Sequence, residues 1–124
     1  MATIEIIKPD VFGVFPQKTL DISLVNSSIV LDLRGGSWDY LTIQGVYDGA
    51  VTLGSLVNKI QISNTGATAD AVDFSTAVTL SVAGMTTYLR VTAISFVHIT
   101  FTTAGTSGMF RFIAKAAKQG LGAM

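Results

Sequence analysis

Residues 78–114 read VTLSVAGMTTYLRVTAISFVHITFTTAGTSGMFRFIA, and this stretch decides the fold class. Three runs within it are dense in β-branched and aromatic residues, at residues 88–94, 96–102 and 109–113. Such residues suit the pleated, half-buried surface of a strand, and the short Gly-containing segments between the runs are typical of turns. Apolar and polar residues alternate within each run, so one face of each strand is expected to lie in a core. The pattern predicts an antiparallel meander at the centre of an all-β domain.

The segments before residue 88 show the same alternation. We expect further strands at residues 19–25, 28–33, 38–47, 51–53 and 59–63, and a short one around Val78 and Leu80. The pairs Asn26-Ser27 and Asp48-Gly49 favour tight turns, which predicts a hairpin at each. About eight to ten short strands in one domain predict a two-sheet antiparallel β-sandwich of jelly-roll or immunoglobulin-like type, with a closed barrel as the alternative.

We expect residues 19–113 to form the sandwich domain and to fold without the two ends of the chain. The two ends differ from this central span in composition. Residues 1–18 are expected to form an extended arm, because Pro9 and Pro16 remove backbone donors and disfavour a helix. Residues 114–124 are rich in Ala and Lys, which predicts a short C-terminal tail with one or two helical turns.

The arm carries large apolar side chains in a segment with no regular period. They either pack onto the chain's own sandwich or insert into a neighbouring subunit, and the sequence leaves both readings open. These residues are Val11, Phe12, Val14 and Phe15.

Charge is scarce and unevenly distributed. Eight basic residues balance eight acidic ones, and mean hydropathy is +0.55. Such a composition favours covering part of the surface with other subunits, although exposed strand faces rich in small residues are an alternative. Beyond residue 78 there are no acids, so the tail residues Lys115 and Lys118 are expected to contact an acidic patch of a neighbouring copy. Two lysines are too few to indicate a nucleic-acid partner.

Several classes of protein are disfavoured by what the sequence lacks. The chain has no cysteine, so disulfides and thiolate metal sites are excluded. No apolar run approaches the roughly 20 residues of a membrane span, and no secretory signal is recognisable at the start, so we expect no membrane partner and a cytoplasmic origin.

No constellation of residues indicates catalysis, a cofactor or a metal. His98 is the only histidine, and we expect it to form hydrogen bonds at the surface or between subunits, because it lacks the partners of a triad or a zinc site. Asn64, Asp70 and Asp73 could offer oxygens to calcium, but their spacing does not match an EF-hand. A solvated turn is the expected structure there.

Three aromatic residues between residues 38 and 47 are candidates for one binding site. Trp38, Tyr40 and Tyr47 lie on one predicted hairpin, where rings can stack on sugars or pack in the core. By strand alternation Trp38 and Tyr40 face one side and Tyr47 the other. In the sugar-binding reading, Trp38 or Tyr47 lines a shallow groove, and Asn64 or Gln44 supplies hydrogen bonds.

Three short motifs occur in order: Leu31-Asp32-Leu33, Asn64-Thr65-Gly66 and Tyr88-Leu89-Arg90-Val91. With the strands around them, residues 29–113 resemble small β-sandwich virion proteins of tailed bacteriophages. The resemblance implies a head decoration (cement) protein, or a module of a tail or fibre, and it implies no enzyme.

Two functions follow as expectations. The first is a non-enzymatic structural virion protein, assembled in the host cytoplasm, that stabilises a phage capsid as a homo-oligomer and most simply as a trimer. Its interface would use Val11, Phe12, Val14, Phe15, Lys115 and Lys118. The alternative is a carbohydrate-binding, host-recognition module of a tail or fibre, with Trp38, Tyr47 and Asn64 forming the sugar platform.

Overall fold

The computed structural model describes residues 4–36, 38–74 and 85–118. These residues form strands and one short 3-10 turn (Thr68–Asp70), with no α-helix among them. The strands are β1 (Ile4–Ile7), β2 (Lys18–Asp21), β3 (Ser28–Asp32), β4 (Tyr40–Thr52), β5 (Val57–Ser63), β6 (Val72–Asp73), β7 (Met85–Arg90), β8 (Phe96–Thr103) and β9 (Ser107–Ala117). In the described part of the chain, no helix is long and apolar enough to cross a membrane.

The strands form two sheets that pack face to face. Sheet A has the order β1-β3-β8-β5-β6 and sheet B the order β2-β9-β4-β7. Neighbouring strands are antiparallel, except that β1 pairs with β3 in parallel. The predicted two-sheet β-sandwich is therefore confirmed.

The core lies between the sheets and follows the alternation in the sequence. Leu41 and Ile43 of β4 are fully buried, whereas Thr42 and Gln44, which alternate with them, are exposed. Each sheet contributes its inward-facing apolar side chains in this way, because alternate residues of a strand point to opposite faces. The principal contributors are Ile29, Leu31, Leu41, Ile43, Ile60, Val97, Ile99, Phe101, Phe110 and Phe112.

The predicted meander is wrong, because β7, β8 and β9 alternate between the two sheets. β7 pairs with β4 in sheet B, and β8 lies between β3 and β5 in sheet A. β9 then returns to sheet B between β2 and β4. Alternation tells which face of a strand is apolar, and both sheets present an apolar face to the same core. The pattern therefore could not assign each strand to its sheet.

Neither predicted hairpin forms. At Asn26, whose φ is +65°, the chain passes from β2 in sheet B to β3 in sheet A. At Gly49, whose φ is +85°, β4 continues to Thr52, and its pairing with β9 shifts register between Asp48 and Thr52. A glycine at positive φ serves a β-bulge as well as a hairpin turn, so the Asp-Gly pair did not distinguish them. The strand predicted around residues 78–80 lies outside the described residues.

Both ends of the chain take part in the sandwich. β1 extends sheet A, and Phe15 is only 2% exposed, so for this residue packing onto the chain's own core is confirmed. The prediction of one or two helical turns within residues 114–124 is wrong over residues 114–117, since β9 continues to Ala117. Ala114 and Ala116 are buried there, opposite Ile43 and Leu41 of β4. Pairing with β4 overrides the helical preference of alanine. Residues 119–124 lie outside the described residues.

Candidate functional site

An open cleft of about 470 Å³ lies at one end of the sandwich. The parallel register of β1 and β3 ends both strands there, so Lys8 and Arg34 follow on neighbouring strands. Tyr40 of β4 pairs with Ala117 of β9, which brings the residues before β4 beside those after β9. The cleft is lined by Lys8, Pro9, Asp10, Val11, Arg34, Gly35, Gly36, Trp38 and Lys118.

Trp38 is the aromatic residue of the cleft, and glycine backbones fix its position. It is half-buried against the core, and the Lys118 ammonium lies 5.4 Å from the centroid of its ring. A Cβ atom at Gly36 would overlap the indole at Nε1, and one at Gly13 would lie 3.2 Å from the far edge of the ring. The ring therefore occupies space that a side chain at Gly36 would fill, and it lies in close contact with the backbone at Gly13.

Arg34 forms a second part of the cleft and is positioned by Asp32. Its Nε and one terminal nitrogen donate to the two carboxylate oxygens of Asp32, at 3.1 and 3.0 Å. Its guanidinium also lies over the Phe96 ring, 4.7 Å from the centroid. The hydrogen bonds from Arg34 hold the pKa of the buried Asp32 below its usual value, and the charge of Lys8 contributes in the same direction. Asp32 therefore stays ionised and keeps the guanidinium at the cleft wall.

Asp10 is the acid that lines the cleft, and it braces a loop. Its Oδ1 accepts hydrogen bonds from the backbone N–H groups of Phe12 and Val14, at 2.9 and 3.0 Å. Backbone bonds from Asp10 N to Val14 O and from Gly13 N to Asp10 O close the same loop. The loop between Pro9 and Phe15 is thus internally bonded although its side chains reach outward.

The predicted interface residues are placed in different environments. Val11 and Phe12 at the loop tip are 87% and 78% exposed, whereas Phe15 is buried in the core. Val14 is partly exposed and forms a bridge with Lys115 of β9, which is also exposed. Of these residues, those at the tip and on the outer side are accessible to a partner, and Phe15 is not.

The predicted sugar platform does not assemble as one site. Trp38 lies just before the start of β4 at Tyr40, and Tyr47 lies seven residues further along the strand, which corresponds to roughly 23 Å from Tyr40. Its ring packs edge-on against Phe110 at 4.4 Å, and burial raises the pKa of its hydroxyl. Asn64 is exposed after β5 at the same end as Trp38, but it does not line the cleft. Of the three residues, Trp38 alone contributes to the cleft.

His98 is fully buried in β8, and the prediction of a surface or interface position is wrong. β8 is the central strand of sheet A, and both of its faces are covered, so the outward parity of His98 did not imply exposure. Its Nε2 lies 2.7 Å from the hydroxyl of Ser63, which also accepts a bond from the Gly66 N–H at 3.0 Å. Among the described residues its Nδ1 has no partner, so the pair lacks the carboxylate of a serine triad.

The burial of His98 predicts a pH dependence of stability. Burial lowers the pKa of His98 in the folded state, whereas the unfolded chain should show the ordinary value of about 6.5. As the pH falls below about 6.5, the unfolded state gains a proton that the folded state does not, so stability decreases. We expect thermal melts to give a lower Tm at about pH 5 than at about pH 7.5, and His98→Gln to remove most of this difference.

The described carboxylates with a lowered pKa do not produce the same effect in that range. Asp21, Asp32 and Asp73 have a lowered pKa, each through hydrogen bonds, so their contribution is lost only as the pH falls below about 3.8. Equal Tm values at the two pH values in the unchanged protein would contradict the prediction.

The acids near the loop after β5 are engaged with neighbouring side chains. Asp73 accepts bonds from Lys59 and Gln61, both at 3.0 Å, and Asp70 accepts one from the Thr65 hydroxyl at 2.6 Å. No group of three His, Cys, Asp or Glu residues suited to a metal ion is found in the described ranges. The contacts at this loop are those of an internally bonded turn.

Sequence reasoning did not place the residues that line the cleft in one site with Trp38. Lys8 reaches the cleft because β1 pairs in parallel with β3, and Lys118 because β9 runs beyond residue 113. Local patterns report neither of these long-range pairings. One local signal was present, namely Gly35-Gly36 shortly before the single tryptophan. It indicates close approach of a large group to the backbone.

Comparisons with known proteins identify the fold. No family model matches the chain, and no curated protein matches it significantly. Solved structures do align with it. The pre-peptidase C-terminal domain of a collagenase from Bacillus anthracis has 4% identity and a TM-score of 0.56, covering 93% of this chain and 97% of that one. PliG from Aeromonas hydrophila, a periplasmic inhibitor of g-type lysozyme, has 7% identity and a TM-score of 0.55, covering 94% and 100%.

A third similar structure is part of a much larger chain. It contains the M60 catalytic domain with the CBM51-1 and CBM51-2 domains of ZmpB from Clostridium perfringens. Identity is 20% and the TM-score 0.52, and the alignment covers 83% of this chain and 11% of that one. At such identities the three likenesses establish the β-sandwich fold alone.

Proposed function

We propose that this protein is a non-enzymatic carbohydrate-binding module that holds a sugar against Trp38 in the cleft. The observation that carries the proposal is an indole ring fixed at the wall of an open cleft, with hydrogen-bond donors around it. The C–H faces of a sugar pack on an aromatic ring, while convergent polar groups bind its hydroxyls. A volume of about 470 Å³ lies within the range of small-molecule sites.

The fold comparison supports this proposal in one respect. The C. perfringens chain to which this one is similar contains CBM51 domains, which are carbohydrate-binding modules. The non-enzymatic part is supported by the positions of the reactive groups. Ser63 and His98 are buried, and the two acids near the cleft, Asp10 and Asp32, are engaged in hydrogen bonds.

A sugar screen tests the proposal. Trp38 is the only tryptophan, so a change in intrinsic fluorescence on adding a sugar reports on the cleft without interference. We expect at least one sugar to change the emission with saturation in the micromolar to millimolar range, and to bind the same protein on a glycan array. If no sugar alters the emission at millimolar concentration and the array is blank, the proposal is wrong.

A second function, that of a structural virion protein, is favoured by the tip of the N-terminal loop. Val11 and Phe12 are exposed although the loop that carries them is braced by Asp10. A pre-ordered loop loses little further entropy on docking, which suits insertion into a second copy or a capsid protein. In this proposal the protein decorates a phage head as an oligomer, with a trimer as the simplest state, and Lys115 and Lys118 bind acidic groups of the neighbour.

The oligomer proposal predicts an effect of Phe12→Ser. Burying a phenylalanine side chain contributes about 1.5–3 kcal/mol, so removing the ring from an interface between subunits should weaken association roughly tenfold or more. Sedimentation should show an oligomer for the unchanged protein and a monomer for the variant at tens of micromolar. Tyr88→Ser is the matched control, because Tyr88 is also exposed (62%) but lies on sheet B. An unchanged protein that sediments as a monomer, and that does not bind phage heads, would contradict this function.

A further inference from the structure

Basic side chains from three separate parts of the chain converge at the cleft. Lys8 follows β1, Arg34 follows β3, and Lys118 follows β9. The net charge of the whole chain is zero, so the composition does not reveal that three basic side chains meet at one end of the sandwich. A cleft with an excess of positive charge attracts a negatively charged ligand.

The two acids beside the cleft, Asp10 and Asp32, offset two of its three positive charges and leave a net charge of +1. Asp10 uses its Oδ1 to hold the backbone of its own loop, and Asp32 is occupied by two nitrogens of Arg34. Among the described residues, Lys8 has no hydrogen bond or ion pair, and Lys118 contacts the face of the Trp38 ring. Neither ammonium group lies within ion-pair distance of a carboxylate in that part of the chain, although the charge of Lys8 acts on Asp32, so both can bind a ligand anion beside the indole.

A neutral sugar uses such a cleft incompletely. Its hydroxyls can accept hydrogen bonds from the ammonium groups, but a carboxylate accepts the same bonds with an opposite charge of its own, which adds ionic attraction. A uronic acid offers both features that the cleft complements, a C–H face for Trp38 and a carboxylate for the lysines. We propose that the cleft selects sugars that carry a carboxylate, such as uronic acids, over their neutral counterparts. This inference rests on the proposed carbohydrate-binding function.

A matched pair of ligands tests the selectivity. Short oligogalacturonides and their methyl esters share the same ring stereochemistry and differ in the charge at C6, and the corresponding glucuronate and mannuronate pairs extend the test. We expect the free acid to bind at least about tenfold tighter than the ester in one or more pairs, measured by Trp38 fluorescence. The preference should shrink as salt rises from about 20 mM to about 500 mM, because exposed charges are screened.

Lysine substitutions distinguish the contribution of the ammonium charges to affinity from that of the Trp38 ring. Lys8→Met and Lys118→Met should each reduce the affinity for the acid by a larger factor than the affinity for the ester, so the preference for the acid should shrink severalfold. Lys59→Met is the control, because Lys59 forms an ion pair with Asp73 on sheet A and does not line the cleft. It should leave the preference intact.

The outcomes distinguish this inference from the function on which it rests. Equal affinity for acid and ester, or a preference for the ester, overturns the selectivity and leaves sugar binding standing. An affinity for a thymidine oligonucleotide that exceeds that for every uronate also overturns it, since the cleft would then select phosphate. Absence of binding to acids, esters and neutral sugars alike overturns the proposed function as well.

Discussion

A shortened chain that contains only residues 19–113 is expected to lose its cooperative thermal transition. It lacks β1 and Phe15, and it cuts β9 where Ala114 and Ala116 pair with Ile43 and Leu41 of β4. Sequence reasoning expects this span to fold alone, but the structure distributes one core over the arm, the centre and the end. Circular dichroism of the shortened chain should show no sigmoidal melt, and a cooperative melt with a strand-type spectrum would contradict the expectation.

Single substitutions in the arm measure the same effect with less disturbance. Phe15→Ala should cost about 3–5 kcal/mol, because it removes a buried ring and leaves a cavity. That is a large part of the roughly 5–15 kcal/mol that stabilises a typical domain. Phe12→Ala, three residues earlier on the same loop, is the control and should change stability by no more than about 0.5 kcal/mol. Denaturant unfolding of the two variants gives the comparison.

Gly36→Ala is expected to abolish sugar binding as effectively as Trp38→Ala, although it leaves the tryptophan in the chain. The added methyl would overlap the indole at Nε1, Cε2 and Cδ1, so the ring must leave its position in the cleft wall. We expect an affinity loss of tenfold or more in both variants, which corresponds to about 1.4 kcal/mol or more. Sugar titration on a glycan array, together with a melt to verify folding, provides the measurement.

The neighbouring glycine supplies a control for this substitution. Gly35 has a φ of +84° and open space around the position of its Cβ, and asparagine tolerates such a backbone conformation better than other side chains. Gly35→Asn should therefore retain binding within a few-fold. If Gly36→Ala bound sugar as the unchanged protein does, the ring would not be part of the site.

Much of the fold was accessible from the sequence, because burial in a strand leaves a period of two. Leu41 and Ile43 were expected to face the core and do so, and Ile60 of β5 does so too. The inward faces of β8 and β9 follow the same rule. Fold class depends on these local patterns and on the number of strands, so a two-sheet sandwich could be predicted with its strand order unknown.

The assembly of the site was less accessible, because it depends on which strands pair. The parallel pairing of Ile7 with Leu31 brings Lys8 to the same cleft as Arg34, and residues so far apart in sequence carry no mutual signal. His98 shows the same limit, since its outward parity predicted solvent while the central position of β8 buries it. The resemblance to phage virion proteins concerns partners and location, and both stay predictions.

The central claim is that Trp38 forms the sugar-binding surface of this protein. Its side chain gives the only tryptophan indole N–H signal in a ¹H–¹⁵N correlation spectrum, because the chain contains one tryptophan. Titration of labelled protein with the best sugar from the screen tests the claim most directly. The account predicts that this signal shifts progressively and saturably, together with the backbone amides of Lys8, Gly35 and Gly36. Saturable shifts confined to the outer face of sheet B around Tyr40 and Tyr88, with the indole signal unmoved, would contradict it.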